Sequence, residues 1–86
     1  MDVWEHKGRP YEVVMASDLA RDGMALELTD LGSPASAPVL EAFWHDDGNG
    51  FEFIAHGAAA LPFEVVERFV AAARDRLPPL REQREG

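Results

Sequence analysis

The amino-acid sequence predicts an α+β fold, an antiparallel meander of three to four strands with one C-terminal helix packed across one face. Three features carry that expectation. In residues 61–77, Val66, Phe69, Val70, Ala73 and Leu77 recur at spacings of three and four, which draws one apolar stripe along a helix. Residues 24–28 alternate strictly, with Met24, Leu26 and Leu28 on one side of a strand and Glu27 with Thr29 toward water. Residues 39–45 and 51–56 flank Asp46-Asp47-Gly48-Asn49-Gly50, turn chemistry that joins the two arms of a hairpin. Everything upstream of the helix reads as sheet to receive it.

Taken in order, the chain opens with residues 1–10, where Lys7-Gly8 can turn a short hairpin between Val3-Trp4 and residues 11–15; a free N-terminal arm is the alternative. Pro10 is expected to hold the following strand to a sheet edge, and His6 to be solvated. Tyr11, Val13 and Met15 then share one face of a strand. Ser17 is a good helix N-cap and Gly23 a good left-handed C-cap, so residues 17–23 are expected to form one helical turn. Residues 30–38, with Gly32, Ser33, Pro34, Ser36 and Pro38, have loop composition. In the helix, Pro62 suits the first turn and Pro78-Pro79 prevents continuation, while Glu64 can meet Arg68 one turn on. Residues 1–79 make a single small α+β domain and 80–86 a polar C-terminal tail.

The hairpin can be argued face by face. A two-residue Gly48-Asn49 loop sets Trp44 opposite Phe53, Ala42 opposite Ala55, Phe43 opposite Ile54, Glu41 opposite His56 and His45 opposite Glu52. An Asn49-Gly50 loop changes the partners but keeps the parity, so the same side chains share a face in either register. Leu40, Ala42, Trp44, Phe51, Phe53 and Ala55 form the expected core face beneath the helix. The opposite face carries Val39, Glu41, Phe43, His45, Glu52, Ile54 and His56, an apolar centre at Phe43 and Ile54 ringed by titratable groups.

Composition bounds the function. Eighty-six residues, 47% of them hydrophobic, support one domain with one small core that a dimer interface would help to stabilise. The chain has no cysteine, which removes disulfides and thiolate metal ligands. A net charge of −8 disfavours nucleic acid and anionic membranes, both of which require a basic surface. The charge is uneven, with 13 acids against 3 bases in residues 1–67 and 3 acids against 5 bases in residues 68–86, so a basic end can lie over an acidic sheet. No apolar run approaches a membrane span and no signal peptide precedes the domain, which points to the cytoplasm. Seven of the eight basic residues are Arg and alanine is abundant, a composition suggestive of a high-GC bacterial genome.

Chemical readings find little to build on. A calcium loop with Gly50 at its sixth position would end on His56, where a bidentate carboxylate is required. Zinc would need His45 and His56 to converge with Glu41 or Glu52. His45 with Glu52, or His56 with Glu41, could form a general acid–base dyad, but the serines sit in loops without a nucleophile motif. No cofactor is expected. The expected function is therefore a non-enzymatic protein-interaction or homodimerising domain, acting through Glu41, Phe43, His45, Glu52, Ile54 and His56. The partner is itself or another protein, possibly basic. One alternative is an acidic inhibitor or immunity-type protein that covers a basic toxin or nuclease; another is a small metal-dependent or His/Glu hydrolase.

Overall fold

A computed structural model describes residues 2–35, 37–46, 50–57 and 60–77. Five strands, β1 (Asp2–His6), β2 (Arg9–Asp18), β3 (Gly23–Asp30), β4 (Pro38–His45) and β5 (Phe51–Ala55), form one antiparallel sheet in sequence order, followed by α1 (Phe63–Arg76). The meander thus has five strands rather than three or four, because the N-terminal segment pairs with β2. Lys7 and Gly8 both take left-handed φ values, 49° and 81°, the backbone a tight type I′ hairpin turn demands. With β1 outside it, β2 is an interior strand; Pro10 is tolerated near its start, where its carbonyl accepts the Leu31 N–H at 3.0 Å.

Residues 17–23 form no helical turn. β2 runs to Asp18, β3 begins at Gly23, and the chain reverses between them with Asp22 at φ 51°. Gly23 is a buried strand residue against which β4 packs, since an added Cβ would collide with the Trp44 carbonyl oxygen and the Phe43 ring. A register shift at Leu28/Thr29 bulges β4 and leaves Val39 without a cross-strand partner on β3. Val39 consequently packs against the core instead of lying on the opposite face.

Buried side chains of β1, β2, β3 and β4 join those of α1 in one cluster, from which the buried Ala25 and Phe43 stand apart. Trp4, Tyr11, Val13, Leu26, Leu28, Leu40 and Ala42 join Val65, Phe69, Ala73 and Leu77. The helix therefore buries an unbroken i, i+4 ridge through Val65, whereas Val66 is only half-buried and Val70 is exposed. Arg68 lies over the Trp4 ring, 4.3 Å from its centroid, Arg76 pairs with Asp2, and Glu64 approaches His6 at 3.8 Å. His6 is accordingly half-buried, and its Nε2 is buried without a hydrogen bond. Pro62 is the residue before the first turn, and Leu77 is extended (φ −77°, ψ 117°), the conformation a following proline imposes. The Pro78-Pro79 stop, the tail 80–86 and the tip of the Asp46–Gly50 turn lie outside the described residues.

Candidate functional site

The β4–β5 hairpin adopts neither expected register. Trp44 pairs with Phe51, Phe43 with Glu52, Ala42 with Phe53, Glu41 with Ile54 and Leu40 with Ala55. The loop is longer than two residues, closed by the His45 N–H donating to the Gly50 carbonyl at 3.1 Å. This register differs from the first expectation by two residues, so parity holds: Glu41, Phe43, His45, Glu52 and Ile54 share the sheet face opposite α1. His56 joins them by reaching Glu41. Both expected His–Glu pairs form, diagonally instead of face to face, with His45 Nε2 2.6 Å from Glu52 Oε1 and His56 Nε2 3.3 Å from Glu41 Oε1.

Phe43 does not supply an exposed apolar centre. Its relative exposure is 0%, with Gly23 beneath the ring and the buried Ala25 directly across the sheet. Above it lies the Arg21 guanidinium, 4.2 Å from the ring centroid, and the His45 ring stands edge-on at 4.7 Å. Arg21 is held at both ends, by Asp18 Oδ2 and Glu41 Oε2, each at 2.5 Å. Glu41, only 4% exposed, thereby spends one oxygen on Arg21 and the other on His56. The contact with Arg21 holds the Asp18 carboxyl below its ordinary range, and Glu41 first and Asp18 second raise the Arg21 guanidinium. Ile54 is half-buried beside this network.

Such an arrangement is a polar lid over a second, aromatic patch of core. Within it Arg21 pairs with Asp18 and Glu41, and each histidine meets a glutamate. Among the described residues no three His, Asp or Glu side chains are grouped to hold a metal ion. Ser33 and His56 line one shallow depression, but the Ser33 hydroxyl accepts the Ala35 N–H at 3.3 Å within its own turn. Arg21 is the residue that sequence reasoning missed. Capping chemistry alone puts it in a helical turn, and its link to Glu41 spans 20 positions with no periodic signature.

On the other side, three exposed apolar side chains gather at one groove; Val3, Leu19, Leu31 and Phe63 are also exposed. Phe51 (36% exposed), Phe53 (51%) and Val70 (39%) line a groove of about 220 Å³ between β5 and α1, floored by Ala42, Phe69 and Ala73. The face of Phe51 and Phe53 is the expected one, and Phe53 meets Phe69 with ring centroids 6.3 Å apart. The cover is incomplete: α1 reaches β1 through Arg68 and Arg76 and leaves the β5 side of its own face open. No helix among the described residues is long and apolar enough to cross a membrane.

Comparison with protein-family models, curated proteins and solved structures finds no match to this chain.

Proposed function

We propose that this chain is a non-enzymatic protein-interaction domain, bacterial and cytoplasmic, whose helix packs across one sheet face and whose contact surface is the groove between α1 and β5. The reading rests on one observation: Phe51, Phe53 and Val70 are exposed together beside an apolar groove, in a chain that buries Phe43 completely. Clustered apolar exposure of this kind marks a surface that another molecule covers. Phe43 supports the domain from within, so the contact surface shifts from the neighbourhood of Phe43 and Ile54 to Phe53.

The test is Phe53→Glu, which places a charge in the groove at a half-exposed position. The variant is expected to keep its far-UV circular dichroism while losing, at least tenfold, the association the wild type shows with itself or with a purified partner. Association that survives Phe53→Glu overturns the groove as the contact surface.

A second reading, the acidic inhibitor of a basic toxin or nuclease, is favoured by the opposite face. Strand pairing sets Glu5, Glu12, Glu27, Glu41 and Glu52 on that side, with Glu27 directly opposite Glu41. Like charges opposed across a sheet are unfavourable until a cation intervenes, and a basic partner would add to what Arg21 supplies. Binding that fades between low and high salt would select this reading, whereas salt-resistant binding lost in Phe53→Glu would select the groove.

A further inference from the structure

The hydrogen-bond phase of the hairpin decides which backbone groups of β5 face outward. His45 N–H donates to the Gly50 carbonyl and His56 N–H to the Val39 carbonyl, at 3.1 and 2.9 Å. In an antiparallel ladder such bonded pairs alternate with non-bonded ones, so residues 50, 52, 54 and 56 spend their N–H and C=O groups on β4. Phe51, Phe53 and Ala55 therefore direct theirs away from β4, and among the described residues β5 has no other neighbour. The same residues turn their side chains to the α1 face, where Phe51 and Phe53 are exposed. Free backbone groups and exposed aromatic side chains thus coincide on one edge.

The two edges of the sheet are not equivalent. At β1, Asp2 is taken by Arg76, Trp4 is buried under Arg68, and His6 lies near Glu64. Among the described residues no further strand pairs with β5; its strand, FEFIA, shares with β1 (DVWEH) the lack of lysine, proline and bulges, but its α1-side residues Phe51 and Phe53 are exposed instead of engaged.

We infer that, within the interaction reading proposed above, the occupant of this edge is a second copy of the chain, joined β5 to β5 in antiparallel about a twofold axis at Phe53. The argument is self-complementarity. One antiparallel register pairs all five β5 residues with their copies, setting Phe53 opposite Phe53, Phe51 opposite Ala55 and Glu52 opposite Ile54. In that register the outward-facing residues 51, 53 and 55 meet one another as bonded pairs, each exchanging both N–H···O bonds. No carboxylate meets a carboxylate directly across the junction. The two Phe53 rings and the flanking Val70 side chains close over each other on the helix side, which a twofold isologous contact requires. The exposed parts of Phe51, Phe53 and Val70 amount to roughly 200 Å² per copy, well under the ~800 Å² per partner of a tight complex. Association is therefore weak, with Kd on the order of 10–100 μM.

The experiment is sedimentation equilibrium across that concentration range on the wild-type chain, Phe53→Glu and Ala55→Pro, with circular dichroism of each. Ala55→Pro removes an outward N–H and none that bonds β4, and it leaves both aromatic side chains in place. The expected result is a wild-type dimer that both variants weaken at least tenfold. Amide exchange on the wild type supplies the reading that needs no variant to fold: Phe51, Phe53 and Ala55 amides become protected as concentration rises. A dimer lost in Phe53→Glu but retained in Ala55→Pro, with those amides unprotected, overturns edge pairing and leaves the groove as a side-chain contact. A wild-type monomer throughout overturns self-association, and the groove then awaits a different protein.

Discussion

The two faces of the sheet bury aromatic side chains by opposite means. On one, Tyr11 and Phe69 join apolar neighbours from four strands and a helix, and Trp4 packs into the same cluster with the Arg68 guanidinium over its ring. On the other, Phe43 is equally inaccessible, yet its cover is an arginine, a histidine and the two carboxylates that hold the arginine in place. The first face gains chiefly from area removed from water. The second depends on a guanidinium whose stem and planar head cover a ring while its edges meet carboxylates, so that face is stable only while its charges are paired. Aromatic side chains on the two faces of one sheet are therefore buried under different covers.

The comparison is broken most severely at the helix. Phe69→Ala should cost about 3–5 kcal/mol, because the fully buried ring leaves a cavity that α1 and the strands cannot close. That approaches the whole stability expected of a chain this size, so the variant should be largely unfolded at 37 °C by circular dichroism. The back face should yield less. Arg21→Ala uncovers Phe43 and leaves Glu41 with His56 alone, a loss of about 1–2 kcal/mol in urea unfolding. A change in the Phe43 ring resonances without change at Phe69 would locate the damage to the lid.

Acid titration should give the smallest effect and reaches both faces. On the α1 face, Asp30 accepts Arg9 Nε at 3.0 and 2.9 Å and the Gly32 N–H at 2.9 Å; the Arg9 contact leads in holding its carboxyl below the ordinary value. Asp18, bonded to Arg21, is depressed likewise. A carboxyl whose pKa is lower folded than unfolded contributes stability above the unfolded value, 3.8 for an aspartate, and that contribution disappears as pH falls through the folded one. The melting temperature should therefore hold from pH 7 to about pH 4 and decline below it. Asp30→Asn and Asp18→Asn should each lower the neutral plateau and flatten the acid decline; a decline of unchanged depth in both would show that neither pairing operates.

Legibility followed the range of the interaction. The turn at Lys7-Gly8, the strand at 24–28 and the helix body were readable because each depends on residues a few positions apart. The faces of β4 and β5 were readable too, since alternation survives a two-residue slip. Ser17 and Gly23 misled: local capping chemistry suggested a helical turn, and pairing of β2 with β3 along their length prevailed. Gly23 is there because Phe43 needs the space of its missing side chain, a reason 20 positions distant. Of the candidate site, the His45–Glu52 and Glu41–His56 partnerships were foreseen, while the burial of Phe43 was not, because Arg21 gives no periodic sign of where it will reach.

By itself the sequence determined the α+β class, the antiparallel order, the helix and which side chains of the hairpin share a face, all properties of spacing along one chain. Only the tertiary structure decided how many strands pair, which side chains close over Phe43, and that α1 leaves Phe51 and Phe53 open. Those depend on where a helix settles on a twisted sheet and how far one guanidinium extends, distances through space that no periodicity encodes.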